Sequence, residues 1–163
     1  MVAQNIAFGL VAAMIVVAAV RVVTTRNVVH AALYLVVVLA GVGANFLLVG
    51  AEFVGVTQVL VYIGAIVVLF LFGIMLTRAP IGGSAKLTAS NWWTGLAVSI
   101  ALAGVLGFTL LDAFGDDKLP EETRQFTAEV SDSIFADYLV PFEVVSILLT
   151  AALVGAIVLA RRD

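Results

Sequence analysis

The chain has 163 residues, 63% hydrophobic and 12% charged, with a formal net charge of −3 and a mean hydropathy of +1.20. Soluble domains carry about 25% charged residues, so this composition excludes a water-soluble globule, and the acidic balance excludes nucleic acid as a partner. The absence of cysteine excludes disulfides, Cys-ligated iron–sulfur clusters and Cys-type zinc sites within the chain. The single His and scattered carboxylates offer no clustered metal site, and no Gly-rich phosphate loop or dinucleotide fingerprint is present. No cofactor is therefore expected in this chain. Five long apolar blocks predict an all-α, polytopic membrane protein, with residues 1–163 forming a single membrane domain of five transmembrane helices surrounded by lipid.

In chain order, the first span covers 6–23. No Lys or Arg precedes it, so it lacks the basic start of a secretory signal and is expected to remain as a span. Thr24-Thr25-Arg26-Asn27 reads as a short turn, with Asn27 as the N-cap of the next helix. The second span, 28–49, starts with His30 and contains Tyr34, Gly41, Gly43 and Asn45. Only Gly50-Ala51-Glu52 separates it from the third span, 53–76, so the two are expected to form an antiparallel hairpin. A Pro/Gly/Ser loop with Arg78 and Lys86 follows. Trp92 and Trp93 then mark a membrane interface at the start of the fourth span, 92–111. Gly95, Ser99, Ala103 and Gly107 recur there every four residues and predict close packing on a neighbour. Residues 112–137 read as an acidic extramembrane loop, either a solvated face or an ion-attracting funnel. The fifth span, 138–160, has Pro141 in its first turn, Glu143 just inside, and a ladder of Ala152, Ala156 and Ala160.

Arg21 and Arg26, Arg78 and Lys86, and Arg161 and Arg162 follow the first, third and fifth spans. With five spans they share one side. The positive-inside rule then predicts an N-terminus outside (periplasmic) and a C-terminus in the cytoplasm, in a multi-pass protein of the cell inner (cytoplasmic) membrane.

The third span is the most informative. Phe53–Thr77 has no charged residue and, as a helix, is long enough to cross a hydrocarbon layer of about 30 Å. Thr57, Gln58 and Tyr62 bring polar atoms into it, and Gly55, Gly64 and Gly73 interrupt its bulky residues. At a spacing of four, Gln58 and Tyr62 share one face of an α-helix. Unpaired polar groups are costly in lipid, so this face is expected to meet protein or water.

The run Gln58-Val59-Leu60-Val61-Tyr62-Ile63-Gly64-Ala65-Ile66-Val67-Val68-Leu69-Phe70-Leu71-Phe72, followed by Ile74-Met75-Leu76, closely resembles the signature helix of one family. That family is subunit J of proton-pumping NADH–quinone oxidoreductase, respiratory complex I, called subunit 6 in mitochondria and chloroplasts. The stretch Arg26–Leu33 is similar too, although Val28 stands where the family commonly has Pro. Pro141-Phe142-Glu143-Val144 and Ala160-Arg161-Arg162 resemble the family's C-terminal end. The likeness is thin in the fourth span and the acidic loop. It implies a membrane-arm subunit that couples quinone reduction to proton translocation and carries no redox group. FMN, iron–sulfur clusters, NADH and quinone would belong to partner subunits. Implied neighbours are the K-type, H-type, A-type and N-type membrane subunits. Two other readings stand beside it. One is a subunit of a multisubunit cation/proton antiporter, or of a related complex with a donor other than NADH; the other is a small structural membrane protein.

As residues alone, Tyr62 and Gly64 admit two readings. Tyr62 is an ordinary buried aromatic beside a close-packing glycine, or the pair marks a conformational switch, since π-bulges gather at functional sites. The resemblance implies the switch: the family's third helix can hold a π-bulge near its Tyr-Gly pair, linked to a water path along the membrane arm. By position this concerns Tyr62, Ile63, Gly64, Ala65, Ile66 and Val67, with Gln58 on the same helix. Phe70 and Met75 extend the set as an apolar stretch that would block or admit water. Glu143 lies within a span and is a proton-path candidate or a water-exposed carboxylate. Glu52 reads as a solvated linker residue or a second proton-path group. His30 reads as an interfacial group or a proton shuttle, since imidazole titrates near neutrality.

Overall fold

The computed structural model describes residues 2–77, 91–115 and 124–161. The loop at 78–86, the acidic residues at 116–122 and Arg162 lie outside the described residues. Within them the fold is all-helical, with five helices long and apolar enough to cross a membrane. The first two are α1 (Val2–Thr24) and α2 (Val28–Leu48). The third span, Glu52–Leu76, is composite: α3 (Glu52–Thr57), a π-helical segment (Gln58–Val67) and α4 (Val68–Leu76). Then come α5 (Trp92–Phe114), the short α6 (Thr127–Ala136) and α7 (Leu139–Ala160).

Local chemistry sets the turns. Asn27 Oδ1 accepts from the backbone N–H groups of Val29 (2.9 Å) and His30 (3.3 Å), which caps α2. At the other end of α2, Gly50 adopts φ +81. Its N–H donates to Leu47 O at 3.1 Å, and the Ala51 N–H donates to Phe46 O at 2.9 Å. These two bonds make a Schellman motif, whose left-handed position favours glycine because there is no Cβ to clash. The motif reverses the chain within two residues and starts the third span antiparallel to α2.

The packed part of the chain is α1, α2 and the third span, with α2 in the middle. Glycines set its helix contacts. A Cβ at Gly41 would stand 2.5 Å from Ile15 Cγ1, where α1 crosses α2. A Cβ at Gly55 would meet Leu47 Cδ2 at 2.8 Å and Gly43 O at 3.3 Å, so α2 and α3 approach through Gly43 and Gly55. This is small-residue packing of the kind membrane helices use in place of a hydrophobic drive. Gly41→Val is therefore expected to push α1 off α2. Overpacking typically costs about 1–3 kcal/mol, and the check is a lower yield and a lower melting temperature of the assembled complex.

α5 touches no other helix among the described residues, and α7 touches only α6. A Cβ at Gly95 or Gly107, on the small-residue face of α5, would meet nothing within 4 Å beyond the helix's own backbone. No described helix of this chain covers that face. The segment 112–137 is also not all loop, because α5 runs on to Phe114 and Thr127–Ala136 is helical. Val130, Ser131 and Ile134 are partly buried on α6, and the spacings of three and four between Val130, Ile134 and Ser131 give a short amphipathic stripe beneath the surface charges.

Candidate functional site

The third span changes helix type at Gln58. Several local features weaken a regular α-helix there. Thr57 Oγ1 donates to Phe53 O at 2.9 Å and Val54 O at 3.0 Å, competing for carbonyls of the helix ladder. Val59, Val61, Ile63, Ile66 and Val67 are β-branched and lose rotamer freedom in an α-helix, and Gly64 has low helix propensity. A Cβ at Gly64 would meet only Val59 O, at 3.6 Å, an ordinary contact. Gly64 is thus not a close-packing point against another described helix in this structure.

The π register has one consequence that sets the geometry of the site. The inward positions of the third span step from Gly55 to Gln58, then to Ile63, Val67, Leu71 and Ile74. The step from Gln58 to Ile63 is five, where an α-helix would use three or four. Gln58 is 9% exposed, whereas Tyr62 is 47% exposed. The expectation that Gln58 and Tyr62 share a face fails here, because i and i+4 are aligned by 3.6 residues per turn and the π segment is wider. Tyr62, Ile66 and Phe70 instead form an outward apolar face, with Gly64 and Ala65 exposed beside it. Met75, further along α4, is exposed as well.

Gln58 is the one buried polar residue among the described residues. Its Cγ lies 3.5 Å from where a Cβ of Gly43 would be, so the side chain sits against α2. Its amide makes no side-chain hydrogen bond among the described residues. Among the described residues the buried side-chain atom left without a hydrogen-bond partner is Asn45 Oδ1 on α2, and an unpaired buried acceptor costs about 1–3 kcal/mol.

The three proton-path candidates are not brought together. His30 is exposed in the first turn of α2, and Glu52 lies at the opposite end of the same hairpin. At the α-helical rise they are separated by about 27 Å along α2. Glu52 lines a polar cavity with Gln4 and Arg124. Glu143 is in the first turns of α7 and lines a shallow groove with Ser146 and Thr150. Those two hydroxyls donate to backbone carbonyls of their own helix, Ser146 to Phe142 O at 2.9 Å and Thr150 to Ser146 O at 3.0 Å. No group of three or more His, Cys, Asp or Glu that could hold a metal occurs among the described residues. Residues 124–137 were not singled out from the sequence as a positioning element, yet they pack on the start of the third span. The only sequence signal was the amphipathic spacing on α6.

Fold and site define a multi-pass helical membrane protein whose central span carries a long π segment around a buried amide. Residues 18–159 match the family model for NADH-ubiquinone/plastoquinone oxidoreductase chain 6. The chain belongs to this family. It is 39% identical to NAD(P)H-quinone oxidoreductase chain 6 of Leptolyngbya boryana, over 98% of this chain and 81% of that one. It is 36% identical to NADH-quinone oxidoreductase subunit J of Pseudomonas aeruginosa, over 98% of both chains. It is also 38% identical to F(420)H(2) dehydrogenase subunit J of Methanosarcina mazei, over 98% of this chain and 92% of that one. These names favour an oxidoreductase subunit over a cation/proton antiporter.

Proposed function

We propose that this chain is a membrane-arm subunit of a proton-pumping NADH–quinone oxidoreductase, and that its third span couples quinone reduction to proton translocation. The π segment at Gln58–Val67 carries the reading. Conversion of this segment to α-helix would turn the flanking helices relative to each other by about 100°, one residue's rotation. Tyr62 would then come into line with Gln58 against α2, and the outward face of Tyr62, Ile66 and Phe70 would turn with it. A bulky apolar face that moves on and off one line can close or open a path for water. The chain itself binds no NADH, flavin or iron–sulfur cluster in this reading; electrons pass through partner subunits. Its neighbours are the K-, H-, A- and N-type membrane subunits, in the inner (cytoplasmic) membrane with the N-terminus outside. Glu143, Glu52 and His30 serve as local proton or surface groups at separate places.

Purification of the intact complex in mild detergent, through a tag on the C-terminus of this chain, tests the assembly. Flavin and iron–sulfur subunits are expected in the eluate by mass spectrometry, together with NADH–quinone activity. Recovery of antiporter-like membrane subunits with no redox protein would overturn the reading.

A further inference from the structure

The chain returning from the acidic segment lies against the turn that starts the third span. The Gln125 N–H donates to Gly50 O at 3.2 Å, and Ala51 and Gln125 form an isolated parallel β-bridge. A Cβ at Gly50 would stand 3.1 Å from Arg124 Cγ and 3.2 Å from Arg124 Cα. Glycine is thus favoured at position 50 twice, by its left-handed φ and by the closeness of Arg124. α6 follows directly and packs on α3 and on α7. Its Phe135 ring meets Phe142 edge-on, with centroids 5.4 Å apart and planes at 66°. Phe142 immediately precedes Glu143. Among the described residues, contacts between the three-helix part and α7 run only through α6.

We propose that residues 124–136 are a fixed strap, in which Arg124 and Gln125 are positioning residues for the coupling reaction. They hold Gly50 and Ala51, and Phe135 holds the turn that carries Glu143. The proposal rests on the coupling reading above. A change of register between Gln58 and Val67 produces a relative rotation of the two ends of the third span. Only a held end lets that rotation go to the other. The α3 end is the held one: it is short, it is tied to α2 by the Schellman motif, and the strap bonds its turn from the other side. The rotation is then delivered to α4, which carries Phe70 and Met75.

The test is a double variant, Ala51→Cys with Gln125→Cys, in the assembled complex. The chain has no native cysteine to compete. Bridged residues are about 4.8 Å apart, which is within the Cα separation a disulfide spans. Oxidation is expected to close this bond, and reduction to reopen it. Protons pumped per electron should stay within about twofold across that cycle, because a fixed anchor loses nothing by being locked. Gln125→Pro removes the N–H that bonds Gly50 O, and should lower protons pumped per electron about fivefold with electron transfer retained. Should that variant fail to assemble, Arg124→Gly carries the same expectation, and Arg124→Lys should keep normal coupling. Three results would overturn the strap: no disulfide, pumping lost on oxidation and regained on reduction, or unchanged coupling in the strap-breaking variant. Disulfide formation does not depend on the coupling reading, so failure of that reading alone leaves the crosslink intact.

Discussion

Deletion of Ala65 is expected to abolish proton pumping while leaving most of the electron transfer from NADH to quinone. The reason is geometric. The π segment holds one residue more than an α-helix needs between the same inward positions, and that surplus permits two registers. Ala65 is exposed within Gln58–Val67, so its removal takes out the surplus without opening a packed contact. The span can then be continuous α-helix with α3 and α4 still facing α2 as they do now. The second register is no longer available. Moving a two-state equilibrium nearly completely to one side corresponds to a bias of about 5.5 kcal/mol, so pumping should fall by far more than tenfold. Quinone chemistry is carried by other subunits in the proposed assembly and should persist. The measurement is fluorescence quenching by proton uptake in inverted vesicles, normalised to NADH oxidation in the same vesicles. Equal loss of both activities in a fully assembled complex would remove the case for a switching helix.

The second large effect concerns Gln58 and Tyr62 together. Gln58 packs against α2 at 9% exposure, and neither its amide nor the hydroxyl of the 47%-exposed Tyr62 makes a side-chain hydrogen bond among the described residues. In α register the two are four residues apart on one face and within reach of each other. The π state therefore keeps the amide and the hydroxyl apart, and the α state would pair them. Gln58→Leu removes the bond from the α state, which favours π. Tyr62→Phe removes only the bond, worth about 1 kcal/mol or roughly fivefold in the balance of states. A change of similar size is expected from Gln58→Leu. Adding Tyr62→Phe to Gln58→Leu should change pumping per electron little further. Simple additivity of the two effects in this double-mutant cycle would show that the residues never meet.

Much of the architecture was legible in the residues. Five apolar runs are long enough to span a bilayer, and length with composition decides that without tertiary information. The Asn27 cap and the hairpin made by the short Gly50-Ala51-Glu52 link were readable for the same reason: capping and chain reversal act within a few residues. The special status of the third span was also readable, since a Gln, a Tyr and a central Gly are out of place on a lipid-facing helix.

Tertiary structure decided what periodicity could not. Sequence periodicity assumes 3.6 residues per turn, so it put Gln58 and Tyr62 on one face; the π register separates them and turns Tyr62 outward. Glu143, Glu52 and His30 were separate proton-path candidates in the sequence: one inside a span, one in a short link and one at the start of a span. The helix α2 keeps His30 and Glu52 at its opposite ends, as their places in the sequence imply. Gln125 and Gly50 are 75 positions apart, and their pairing leaves no mark in local composition. Spacing and apolar content set where helices form, because those forces are local. Which face turns inward, and what holds the start of the third span, depended on contacts between distant segments.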